Sequence, residues 1–89
     1  WEQAKTLEIR YLDLLKTAEK KGDSHCAEAI EACRLHKEWL LHFWTPEMYS
    51  PQAHIGLVEM YGSDERFQKY YEGISPSFFL EAVKQFYQV

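Results

Sequence analysis

Between Glu2 and Lys21 the apolar positions Ala4, Leu7, Tyr11, Leu14, Leu15 and Ala18 recur at steps of three and four, the spacing of one buried face on an α-helix. Gly22 supplies the stop, because glycine readily takes the left-handed conformation that closes a helix. Asp23 or Ser24 offers a side-chain cap for a second helix. On that helix Cys26, Ile30, Cys33 and Leu40 form one apolar stripe, and Leu35, Trp39, His42 and Phe43 form a neighbouring one. Two stripes predict a central helix covered on two sides by others.

Thr45-Pro46 and Ser50-Pro51 each place a hydroxyl cap before a proline suited to the first helical position, so the chain turns through Pro46 to Ser50 and restarts at Pro51. His54, Leu57, Val58 and Tyr61 then face inward, and Gly62 ends the segment. Ser63 or Asp64 caps a fourth helix whose apolar side is Phe67, Tyr70, Tyr71 and Ile74, with Gly73 breaking it. Ser75-Pro76 repeats the start signal, and Phe79, Ala82, Val83 and Phe86 follow at helical spacing. No stretch alternates with period two for long enough to predict a strand. The pattern predicts an all-α fold, a small globin-like bundle of about five helices, two long and three short, joined by turns of roughly two to five residues.

A chain of 89 residues supports one core, so residues 1–89 are read as a single domain. Fourteen rings (Trp 3, Tyr 6, Phe 5) imply either a ring-rich core or a cavity lined with faces that a ligand can use. The net charge of −4, with Lys and Arg scattered, leaves no footprint for nucleic acid, so the domain itself is not expected to bind DNA. The longest apolar stretch, Trp39 to Trp44, is interrupted by His42 and falls far short of the roughly 20 residues that cross a bilayer. No membrane contact is expected. Cys26 and Cys33 lie about 10 Å apart along one helix and cannot bridge each other. Free thiols fit a cytoplasmic location. The chain begins at Trp1 inside a helical pattern, as a fragment of a longer protein would.

Catalysis requires a positioned nucleophile, a tuned acid or base, or a metal, and the four histidines and two cysteines form no diagnostic motif. Cys26, Cys33 and His36 share a helix face, yet residues seven apart cannot meet one ion at roughly 2.3 Å, which leaves only Cys33 and His36 as a chelating pair. Packing as small hydrophobes accounts for both cysteines. Cys33 with His36 one turn on lacks an orienting third group, and His54 at the head of an apolar stripe reads as a core or cap histidine or a ligand contact. No catalytic residue, metal or cofactor is expected, and the domain is read as a binding module.

One pattern spans His36 to Tyr87: His36-Lys37-Glu38-Trp39-Leu40, then His54-Ile55-Gly56-Leu57-Val58-Glu59-Met60-Tyr61, then Asp64-Glu65-Arg66-Phe67 with Tyr70-Tyr71-Glu72, and Pro76 before Phe79-Leu80 and Ala82-Val83. This resembles the TipAS-type antibiotic-recognition domain, the effector-binding module of certain MerR-type transcription activators, over roughly the last two thirds of the chain. The resemblance implies a globin-like helical fold with a cleft for bulky, largely apolar antibiotics such as thiopeptides. It also implies a separate DNA-binding domain, a homodimeric full-length protein, and binding that orders flexible helices. In the family's prototype a cysteine just before the His-x-x-Leu segment bonds to the drug. Here Met48, Tyr49, Ser50 and Pro51 stand in that region without a cysteine, and Ser77 stands where the family often has glycine.

Large rings and methionines accept varied apolar ligands because they offer area without strict hydrogen-bond geometry. Trp39, Phe43, Met48, Tyr49, His54, Leu57, Met60, Tyr61 and Phe67 are therefore the candidate cleft-lining residues, with ordinary core packing as the alternative for each. Asp64 and Arg66 are expected to hold the turn between the third and fourth helices rather than touch a ligand.

Overall fold

The computed structural model describes residues 2–71 and 73–88, with backbone only at Gln68 and Tyr70. The expected inward position of Tyr70 therefore lies outside the described side chains. Among the described residues there are five helices and no strand: α1 (Glu2–Lys21), α2 (Ala27–Leu41), α3 (Pro51–Tyr61), α4 (Glu65–Tyr70) and α5 (Pro76–Tyr87). The all-α fold and the two-long, three-short division match the sequence pattern.

α1 buries Ala4, Tyr11, Leu15 and Ala18 against α2, with Leu7 and Leu14 half-buried beside them. Gly22 closes it at φ +69°, the left-handed region that only glycine enters at no steric cost. α2 packs on α1 from one side and on α5 from the other, which is the two-sided coverage its double pattern predicts. Its buried positions are Ala29, Ala32, Cys33, Leu35, His36 and Leu40. Ile30, His42 and Phe43, assigned to its stripes from the sequence, are exposed.

Both ends of α2 also differ from expectation. Asp23 spends its carboxylate on the His25 amide, 2.9 Å away, so neither it nor Ser24 caps the helix; Cys26 stands at the N-cap without a side-chain bond. At the far end Leu40 accepts from the amides of Phe43 (2.9 Å) and Trp44 (2.8 Å). The Phe43 bond, spanning three residues, tightens the last turn and diverts the chain, so residues 42–50 form a longer connection than the turn read from the sequence.

α3 packs chiefly on α5, and α4 joins α3. Each of these three helices begins on its own side-chain cap. Ser50 accepts from Ala53 at 3.0 Å, Asp64 from Arg66 at 2.9 Å, and Ser75 from Phe78 at 3.4 Å. Ser50→Ala strands an amide at the head of α3 and is expected to cost about 1 kcal/mol. A thermal melt should register this as a loss of roughly 4–8 °C.

Candidate functional site

Two arrangements of polar rings meet at the centre of the bundle. His36 of α2 and His54 of α3 are fully buried and face each other, with His36 Nδ1 2.7 Å from His54 Nε2. His36 Nε2 continues to the Tyr61 hydroxyl at 3.3 Å. His54 Nδ1 continues to the Tyr87 hydroxyl at 2.6 Å, which lies 2.5 Å from that of Tyr49. Separately, Tyr11 of α1 and Tyr71 share a hydrogen bond of 2.6 Å across 60 positions of sequence.

Burial sets the charge state of this interior. Desolvation, reinforced by His54, holds the His36 imidazole well below its ordinary range, and desolvation with the Lys37 ammonium nearby lowers His54 to about 4. Both are neutral at pH 7. Burial likewise pushes the Tyr11, Tyr61 and Tyr87 hydroxyls upward, so none is a proton donor of the kind a general acid must be. Every buried side-chain nitrogen and oxygen among the described residues has a hydrogen-bond partner. The histidines are thus integral core groups.

On one side of this network a cleft of about 370 Å³ opens, walled by Trp39, Tyr61, Phe67 and Tyr71 and edged by Asp64 and Arg66. Tyr61 and Phe67 stack with ring centres 4.4 Å apart, and Tyr71 meets Phe67 edge-on at 4.6 Å. Trp39 lies parallel to the His36 ring at 5.7 Å. The Asp64 cap orients Arg66, whose Nη2 lies 3.1 Å from Oδ2, so the expected turn-holding pair also forms the polar rim of the cleft. An apolar wall of four rings with one charged pair at its mouth is the make-up of a small-molecule site.

The family model of the TipAS antibiotic-recognition domain matches residues 1–87. The chain belongs to this family. The match takes in α1 and the start of α2, which the resemblance read from His36 onward does not include. No curated protein and no solved structure matches the chain. TipAS is a ligand-binding family rather than a catalytic one.

Of the nine candidate residues, this TipAS domain brings Trp39, Tyr61 and Phe67 together in the cleft wall. Phe43 adjoins them, its ring 4.9 Å from Trp39 and its side half exposed. His54 and Tyr49 belong to the hydrogen-bonded line behind the wall. Leu57 is half-buried on α3, and Met48 and Met60 are exposed; none of the three lines this cleft. Tyr11 and Tyr71 were legible only as parts of apolar faces, and His36 and Tyr87 carried no sequence signal for the network.

The thiols stand apart from the cleft. Cys33 is fully buried and its thiol is pushed up to about 12 by desolvation, which makes it inert as a nucleophile. Cys26 is half-buried at the head of α2, and both are free. Among the described residues no group of three metal-type side chains gathers, and no helix is long and apolar enough to cross a membrane.

Proposed function

We propose that this TipAS domain senses a bulky, largely apolar antibiotic, such as a thiopeptide, by seating one of its ring groups between Trp39, Tyr61, Phe67 and Tyr71. The observation that carries the proposal is the ring-walled cleft in a chain that the family model matches almost end to end. Pockets that enclose drug-sized ligands span about 300–1,000 Å³, so a cleft near the bottom of that range takes part of a large antibiotic. The remainder lies over the surface, where Phe43 extends the aromatic wall. Binding is non-covalent, since no cysteine lines the cleft, and the domain is not an enzyme.

On this reading residues 1–89 are the effector-binding domain of a cytoplasmic MerR-type activator that works as a homodimer. DNA contact belongs to another domain of that protein, and no membrane is involved. The coupling passes through α1. Tyr11 stands behind the cleft, edge-on to Trp39 at 6.1 Å and hydrogen-bonded to Tyr71, so a ligand that fixes those two rings also fixes the seat of α1. A lone helix of this length is marginal until docked, which makes α1 the element most responsive to such a change.

The test is a titration of the domain with thiopeptides and other bulky apolar antibiotics, followed by tryptophan fluorescence and melting. At ligand a hundredfold above its dissociation constant, linkage adds about 2.7 kcal/mol, a rise of roughly 10 °C or more. Trp39→Ala should weaken binding about thirtyfold, as loss of an aromatic anchor does. Amide exchange in α1 should slow on binding; an α1 already as protected as α2 in the free domain would remove the ordering step. A flat response across the panel, with melting that depends on protein concentration, would instead make the domain a helical protein–protein interaction module.

A further inference from the structure

The line Tyr61–His36–His54–Tyr87–Tyr49 has a property that its individual bonds do not. It begins at a ring in the cleft wall and ends at Tyr49, in the connection just before the Ser50 cap of α3, with Lys37 Nζ 5.1 Å from the Tyr49 ring centre. A neutral imidazole carries one N–H and one bare nitrogen, so each histidine donates on one side and accepts on the other. Across the 2.7 Å contact between them, two N–H groups or two lone pairs would repel. The pair is therefore satisfied in only two ways, and each way fixes the direction of the whole line.

In the first arrangement Tyr61 donates to His36, His36 to His54, His54 to Tyr87 and Tyr87 to Tyr49. In the second every donor becomes an acceptor, and Tyr61 gains an O–H to offer to the cleft. Both arrangements make the same bonds between the same heavy atoms, so small differences at the ends decide between them. We propose that this line is a two-state relay through which a ligand group touching Tyr61 sets the hydrogen-bond polarity at Tyr87 and Tyr49. The proposal rests on the cleft being the ligand site. A ligand acceptor beside Tyr61 selects the second arrangement, and a ligand donor selects the first.

The reversal balances. In one concerted shift that leaves no ring charged, the Tyr61 proton passes to His36 Nε2, the Nδ1 proton of His36 to His54 Nε2, the Nδ1 proton of His54 to Tyr87, and that of Tyr87 to Tyr49. Tyr49, half-buried, releases its outward proton to water, and water on the cleft side reprotonates Tyr61. One proton enters, one leaves, and no electron moves. Tyr87 is the last residue of α5 and Tyr49 adjoins the start of α3, so the polarity is delivered to one end of each helix. A bistable element biased from both ends is the physical basis of coupling between sites.

Imidazole ¹⁵N shifts of the ligand-free domain test the relay directly. Tyr61→Phe leaves His36 Nε2 facing no donor, and because an orphan N–H is the costlier fault the line should settle with Nδ1–H on both histidines. Tyr49→Phe frees Tyr87 to donate to His54 and should place Nε2–H on both. The preference expected in each variant is about tenfold, the worth of one hydrogen bond, and the wild type should lie between the two. The same tautomers in both variants would overturn the relay. Should Tyr61→Phe fail to fold, Tyr49→Phe against wild type decides: His36 moves toward Nε2–H, or the relay is wrong. None of these readings needs a ligand, so a failed antibiotic titration and a failed relay are separate results.

Discussion

Replacing Phe79 with alanine is expected to remove about 4 kcal/mol of stability, within the range for deleting a fully buried ring. Phe79 lies in the first turns of α5 and is wholly inaccessible to solvent. Its ring centre is 5.0 Å from that of His36, 5.9 Å from Tyr61 and 6.4 Å from Phe67, so one side chain joins α5 to α2, α3 and α4. Its removal opens a cavity behind two walls of the cleft and strips contacts from the buried histidine. Domains of this size hold about 5–15 kcal/mol in total, so the variant should sit close to unfolding at 37 °C. Urea denaturation should show the midpoint falling at an unchanged slope, since the same surface is exposed on unfolding. Phe79→Leu, which retains most of the volume, should cost less than about 2 kcal/mol. An alanine variant that loses under 1 kcal/mol would mean that the ring is not seated as described.

The parts of this fold that were legible in the sequence are those with a local cause. Glycine at Gly22 and the serine–proline steps at Ser50 and Ser75 punctuate the chain through their own backbone and side-chain chemistry, so α1 stops, and α3 and α5 start, where the sequence predicts, while α5 stops at Tyr87 before a left-handed Gln88 rather than running on. The ends of α2 depend on a competition invisible to periodicity. Asp23 is a good cap that instead bonds an amide two residues on, and Phe43 is apolar yet lies beyond the helix, with its ring against Trp39. The same distinction divides the site. Trp39, Tyr61 and Phe67 were recognisable as large rings on inward faces, whereas Tyr11 gains its meaning from a partner 60 residues away and His36 from one 18 away. In the sequence His36 stands one turn from Cys33, a spacing that offers a metal or nucleophile pair although neither role is expected of it. In the structure its partners are His54 and Tyr61, and the pattern that foretells this is two histidines on the inward stripes of two helices that meet.

Acidification should destabilise the domain steeply between pH 6.5 and 4. An imidazole in the unfolded chain takes up a proton near pH 6.5. In the folded state burial, with the Lys37 charge, keeps His54 from doing so until about pH 4, and His36 is held well below its ordinary value by burial and by His54 itself. The unfolded state therefore binds more protons throughout this window. Stability is complete above pH 6.5 and falls as the pH is lowered toward the folded-state value. His54 alone accounts for about 3 kcal/mol by pH 4, a slope near pH 5 of roughly 1.2 kcal/mol per pH unit, and His36, held down in the same direction, steepens it. The groups packed on the pair from other helices, Tyr11, Phe79 and Tyr87, are uncharged there, and Lys37 on α2 adds only positive charge. The carboxylates of Glu28, Glu31 and Asp64 are held down by Lys21, Arg34 and Arg66, so their loss belongs to a lower pH range. Melting curves from pH 7 to 4 measure the effect. His54→Gln, which keeps one donor and one acceptor, should fold and show a shallower slope, because the His54 proton then no longer separates the two states. A melting temperature that stays level between pH 7 and 5 would mean that the histidines already carry charge in the folded domain, and the single donor-to-acceptor contact between them could not then be as described.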